Sequence, residues 1–240
     1  MRRNIRDRDI TFRHEDGCLV RTVSGADGRT YTHRCCLEVF EKVAWLLDIG
    51  YDACMGPDLL REIQRFEAAT AIGASAVRGQ PPSTKKTMTD HLAQIELGGI
   101  PRTSSEHFHT WLTQITDELA ASLPARPGAS AWGIARKGLN LFLRDCLYNH
   151  YLRSEFHLDQ VETWLEVPLD SKVAKGLRRA ARLKRQPLPR WRGICNLKVH
   201  DSNAFQVFAL ELATEQRLPA RVFLDHGFWL PKKRQAIAVR

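Results

Sequence analysis

No Cys-x-x-Cys pair occurs in this 240-residue sequence, although six cysteines do: Cys18, Cys35, Cys36, Cys54, Cys146 and Cys195. A zinc ribbon or a cysteine-ligated iron–sulfur cluster needs clustered thiolates, so both are set aside. Adjacent Cys35 and Cys36 are poorly placed for a mutual bridge, and the cysteines read as reduced thiols of a cytoplasmic protein. Also missing is any run of about 18 apolar residues, and the first residues hold no apolar segment of signal-peptide type. Neither membrane insertion nor export is expected.

A third scarcity is local. Between Ser171 and His200 there is no carboxylate, against ten basic residues: Lys172, Lys175, Arg178, Arg179, Arg182, Lys184, Arg185, Arg190, Arg192 and Lys198. The net charge of +9 is spread unevenly: residues 1–130 carry 16 basic and 17 acidic side chains, 131–170 carry 4 and 6, and 171–240 carry 16 and 4. Such a block suits a polyphosphate partner, because each neutralised phosphate releases condensed counterions. The plainer alternative is a solvated basic face.

What is present is mainly helical periodicity. Ser24-Gly-Ala-Asp-Gly-Arg29, between the β-prone stretches Cys18–Val23 and Thr30–Thr32, predicts a short two-stranded ribbon. Helical spacing follows over 36–50, then from Pro57 or Asp58 to Thr70 with Leu59, Leu60, Ile63 and Phe66 inward. Residues 71–87 collect Gly, Pro, Ser and Thr without period and read as a loop or linker. Helices are expected over 88–97 and 105–123, the latter capped by Ser104 or Ser105 with Phe108, Leu112, Ile115, Leu119 and Leu123 on one stripe. The most apolar pattern, 130–153, predicts one central helix, widened by Leu141, Tyr148, Tyr151 and Leu152. A basic helix should start at Asp170 or Ser171 and end before Pro187, and another should span 201–216 with Phe205, Phe208, Ala209 and Leu212 inward. The expected fold is mainly α with a small N-terminal β-ribbon. Two regions, 1–125 and 126–240, suit either two domains or one two-lobed unit.

Lys137 sits in an early turn of the central helix and is followed at once by apolar residues. Lost hydration at such a place lowers an ammonium pKa and makes the amine a usable nucleophile; the plainer reading is a lysine that snorkels to solvent. Thirty-three positions later, Pro168 holds the chain extended before Asp170, which leaves that aspartate as the natural N-cap of the basic helix. Capping alone accounts for an aspartate there. An anion lying along the basic helix would nevertheless come close to it and, if the helices pack, to Lys137.

Three segments carry a resemblance: Lys137-Gly-Leu-Asn-Leu-Phe-Leu, Val167-Pro-Leu-Asp-Ser-Lys-Val-Ala and Val222-Phe-Leu-Asp-His-Gly-Phe-Trp. In this order they resemble the helix-hairpin-helix DNA glycosylases, most closely the archaeal 8-oxoguanine glycosylases. The resemblance covers about residues 130–230. The sequence departs from the family where Gly133-Ile-Ala135 replaces the usual Gly-x-Gly turn, and the four-cysteine cluster motif of the endonuclease III branch is absent.

The resemblance implies a helical glycosylase-like bundle that flips a nucleotide out of double-stranded DNA. Lys137 would attack C1′ to displace the base and form a Schiff base, with a possible lyase step. Asp170 would deprotonate the lysine or stabilise the charge developing on the sugar. Trp132, Trp164, Asp225, Phe228 and Trp229 would flank the base, although aromatics near helix ends are more often core. Lys172, Lys175, Arg178, Arg179, Arg182, Arg190 and Arg192 would contact DNA. No metal or cofactor is implied, and the protein would act as a monomer. The substrate base is 8-oxoguanine in a repair enzyme or a modified base of phage DNA in a defence enzyme.

Other features point less far. His107 and His109 at i and i+2 lie on different helix faces and make a poor metal pair. Glu162 and Glu166 are the acid pair a metal-dependent nuclease would use, without neighbouring ligands in the sequence. Arg190-Trp-Arg-Gly suits either a phosphate or stacking wedge, or a turn that pins the basic helix to the core. A nucleic-acid-binding protein without catalysis is the remaining alternative.

Overall fold

The computed structural model describes the backbone of residues 2–4, 9–15, 18–24 and 30–36, and residues 57–73, 76–124 and 130–229. Contacts divide the chain into two compact units, Met1–Met55 and Gly56–Arg240. In the first, β1 (Arg2–Asn4), β2 (Asp9–Glu15), β3 (Cys18–Ser24) and β4 (Thr30–Cys36) form an antiparallel sheet in the order β1-β2-β3-β4. The ribbon predicted between Cys18 and Thr32 falls in this unit, whose side chains lie outside the described residues, as does the helix predicted over 36–50.

The second unit is helical. Its helices are α1 (Pro57–Ala71), α2 (Thr84–Leu92), α3 (Ser105–Ser122), α4 (Trp132–Tyr148), α5 (His150–Glu155), α6 (Ser171–Leu183), α7 (Val199–Glu215) and α8 (Leu224–Trp229). Helices α1, α2 and α3 all pack on α4 within this unit. No helix among the described residues is long and apolar enough to cross a membrane.

Each helix follows from local chemistry with a few corrections. Leu60, Gln64 and Ala68 make the inner stripe of α1, which turns Phe66 outward at 65% exposure, against the inward position its hydrophobicity suggested. Gln64 is inside because its amide donates to the carbonyls of Ala93 (3.2 Å) and Ile95 (2.7 Å), groups left open beyond the end of α2. Helix α2 starts at Thr84 and stops at Leu92, earlier at both ends than the expected 88–97. The Ser104 hydroxyl caps α3 by accepting from the His107 N–H at 3.2 Å.

The long helix expected over 130–153 breaks at Asn149. Its side chain accepts from the N–H groups of Tyr151 (3.1 Å) and Leu152 (3.2 Å), and so starts α5 as a new helix. Tyr148 and Tyr151 consequently stand 39% and 38% exposed instead of widening the core. Helix α4 itself is central, with buried residues from Gly133 to Leu147 on nearly every side. Gly133 is required there, since a Cβ would fall on the Ile194 carbonyl oxygen.

Residues 165–169 run extended and buried into α6. Buried backbone needs partners, and Gln206 on α7 supplies them: Val167 N–H donates to its Oε1 (3.0 Å), and its Nε2 donates to the Val167 carbonyl (2.8 Å). Arg221 donates to the carbonyls of Leu165 (3.1 Å) and Trp164 (2.9 Å). Val167, Leu169, Val173 and Leu177 then pack against Phe205, Phe208 and Leu212 in one cluster. This bracing sets the position of Asp170.

Candidate active site

Lys137, Leu141 and Arg144 lie at i, i+4 and i+7 on α4 and so share one face. That face lines a cleft of about 330 Å³, together with the end of α1, Pro168 and Asp170 before α6, and Asp225, His226 and Trp229 of α8.

Lys137 is only 9% exposed. Burial depresses its ammonium pKa below the usual lysine range, and the carboxylates of Asp170 and Asp225 oppose that shift only in part. The amine forms no salt bridge among the described residues. An amine in this setting loses its proton more readily than a surface lysine, the condition for nucleophilic attack on an electrophilic carbon.

Asp170 is the N-cap of α6. One oxygen, Oδ1, accepts from the N–H groups of Lys172 (2.7 Å) and Val173 (2.9 Å). Oδ2 accepts no hydrogen bond among the described residues, so capping occupies half of the carboxylate. Asp225 is buried and ion-paired with Arg144, which also holds Asp145. Burial raises the Asp225 pKa, Arg144 counteracts it, and the Asp170 charge adds to the rise. At the rim, the His226 ring stacks on Tyr148 at 5.3 Å, and burial pushes the Tyr148 hydroxyl up to about 12.

Of the residues expected around a base, the cleft gathers Asp225 and Trp229, and it does not gather Trp132, Trp164 or Phe228. Trp229 is 44% exposed, with the Lys172 ammonium 3.6 Å from its ring centroid. Trp132 and Phe228 pack against the α6–α7 core cluster, Phe228 over Gly176, where a Cβ would strike its ring. Trp164 sits 6.0 Å from Phe108. All three are half-buried, and Trp132 also lines a different, larger cleft.

Helix α6 buries Val173, Ala174, Leu177 and Ala181, so Lys172, Lys175, Arg179 and Arg182 share the exposed face and Arg178 is half-buried beside it. Arg190 and Arg192 line a different cleft.

The acid pair is engaged otherwise. Glu162 pairs with Arg153, and Glu166 accepts from Arg136 Nε and Nη2 (2.9 Å each) and from Asn140 (3.0 Å). Burial pushes the Glu166 carboxyl up, but Arg136, Arg221 and Asn140 outweigh it and hold it below the usual glutamate value. His107 bonds Thr103 (2.9 Å), while burial and Arg221 lower the pKa of His109. No group of three His, Cys, Asp or Glu side chains among the described residues could hold a metal.

Sequence reasoning missed Arg144 and the Arg136–Asn140–Glu166 network. For Arg144 the signal was the seven-residue spacing from Lys137; for Glu166 nothing in the sequence names a partner 30 positions away. In comparison with known proteins, the chain matches no family model, no curated protein and no solved structure.

Proposed function

We propose that the protein is a DNA glycosylase that excises a damaged or modified base, with Lys137 as nucleophile. The observation that carries this reading is the convergence of the buried Lys137 amine with Asp170 and Asp225 in one cleft, beside the cationic face of α6. The partner is double-stranded DNA, whose flipped nucleotide enters the cleft. The Lys137 nitrogen forms a bond to C1′ as the C1′–N bond breaks, and the base leaves with the bonding electrons and takes up a proton. Loss of the amine proton and opening of the sugar ring then give a Schiff base. Asp170, with one oxygen outside its capping bonds, accepts the amine proton or stabilises the positive charge on the sugar. Trp229 offers a ring face for the base. The same reading makes the helical unit a glycosylase-like bundle acting as a cytoplasmic monomer, in repair of 8-oxoguanine or in defence against phage DNA with modified bases.

The test is borohydride trapping on duplexes carrying 8-oxoguanine, other modified bases or an abasic site, with free base measured in parallel. Wild type should give a covalent protein–DNA adduct, and Lys137→Gln should lose both adduct and base release while keeping DNA affinity. Adduct formation by Lys137→Gln would move the nucleophile to another amine, such as Lys172 or Lys175. Base release without an adduct would assign the attack to water.

A further inference from the structure

A second, larger cleft of about 730 Å³ opens where the segment after α6 crosses the start of α4. Arg190, Arg192, Lys198 and His200 line it, with one carboxylate, Asp201. His200 lies 3.2 Å from Asp201. Arg190, Arg192 and Lys198 are exposed and form no salt bridge among the described residues.

The segment that presents these cations is braced. Ser130 N–H donates to the Cys195 carbonyl (2.9 Å), Gln80 Nε2 to the Cys195 sulfur (3.2 Å) and Asn196 Nδ2 to the Arg192 carbonyl (3.0 Å). Gly133 lets Ile194 approach α4 closely, and Gly193 takes φ 93°, a conformation that side chains disfavour. Trp191 donates its indole N–H to the Ser171 hydroxyl (3.2 Å) and stands edge-on to Phe205 at 5.9 Å. Of the two sequence readings of Arg190-Trp-Arg, the tryptophan therefore follows the pin, while the arginines on either side point to a ligand. Three cations held along one cleft against a single carboxylate, Asp201, which lies beside His200, repel one another, and a polyanion that spans them relieves that repulsion.

We propose that this cleft binds the phosphodiester backbone of the DNA strand flanking the nucleotide held at Lys137, as a site separate from the chemistry. It rests on the glycosylase reading for the identity of the strand. Charge complementarity selects the occupant, and the volume is of the size of ligand clefts, roughly 300–1,000 Å³. Trp191, between Arg190 and Arg192, bonds Ser171, the neighbour of Asp170, so the start of α6 links the segments that carry the two clefts.

The experiment compares wild type with Arg190→Gln/Arg192→Gln/Lys198→Gln by fluorescence anisotropy on an undamaged duplex over a range of salt. The slope of log K against log salt should become shallower by about two to three, near one per lost phosphate contact. On an abasic duplex, the DNA concentration that half-saturates borohydride trapping should rise by about tenfold or more, with trapping at saturation within about twofold of wild type. A variant with the thermal midpoint and the salt slope of wild type overturns the proposal. A variant that saturates with DNA and no longer traps also overturns it, because the cleft would then belong to the reaction. A shallower slope in a protein whose wild type never traps keeps this site and retires the glycosylase reading alone.

Discussion

At the scale of the residue, the burial of Lys137 bears on stability as well as on the proposed reaction. Its folded pKa lies below the unfolded value, so the unfolded chain binds the proton more tightly. Stability therefore falls as pH drops through the ordinary lysine range toward the lowered value, and the penalty stays in force below it. Lys137→Met removes that penalty: its thermal midpoint should exceed that of wild type at neutral pH, by roughly 2–4 °C for each kcal/mol relieved, with the excess vanishing above the usual lysine range. Calorimetry at neutral and strongly alkaline pH checks the sign. The reaction should mirror it, with the trapping rate rising with pH and levelling off below the ordinary lysine range. Asp170→Asn removes a charge that raises the Lys137 pKa, so the rising limb should move to lower pH while the plateau falls by several orders of magnitude. Stability should change by at most about 1 kcal/mol, since an asparagine amide oxygen can still cap α6. An unchanged plateau would leave Asp170 as a cap alone.

At the scale of the element, the extended 165–169 segment and α4 are joined by a buried ion pair. Arg136 donates to both oxygens of Glu166, and to Thr116 at 3.0 Å. Removing one partner leaves a buried charge unpaired, so Glu166→Gln should cost roughly 3–5 kcal/mol in urea denaturation. Replacing both Arg136 and Glu166 by Met should recover most of that loss, because no charge is then stranded. The stability Glu166 supplies is present above the usual glutamate range and fades as pH falls through its lowered pKa. A Glu166→Gln variant as stable as wild type would show that this segment is held by Gln206 and Arg221 without the ion pair. Legibility in the sequence divides along the same lines. The caps Ser104 and Asp170, and the buried stripe of α6, follow from neighbours a few residues away. The outward Phe66 does not, since only packing decides which face of α1 is covered; the break at Asn149 is made by a local cap, but apolar residues at helical spacing on both sides of it conceal the cap in the sequence.

At the scale of the whole molecule, charge is the dominant asymmetry. Of the ten cations between Ser171 and His200, the fold puts four, Lys172, Lys175, Arg179 and Arg182, on the α6 face and three, Arg190, Arg192 and Lys198, in the larger cleft. Lys184 is spent on Glu215 of α7. If the α6 face lies on DNA, Arg178→Ala/Arg179→Ala/Arg182→Ala should flatten the salt dependence of duplex affinity by about one unit per lost contact, the half-buried Arg178 contributing least. Anisotropy titrations at several salt concentrations measure this, and a slope equal to that of wild type would retire the α6 face as a DNA surface.

What the sequence alone determined is what short-range chemistry encodes: helical character from periodicity, the cap at Asp170 and the basic block, while the burial of Lys137 was decided by packing. Tertiary structure decided which of those residues meet. It brought Asp225 and Arg144 to Lys137, left Trp132, Trp164 and Phe228 out of that cleft, and split one run of positive charge between two surfaces. The physical reason is that periodicity specifies a face but not its partner. Partners separated by 30 to 81 residues are chosen by the packing of helices and by the buried polar groups that must be satisfied between them.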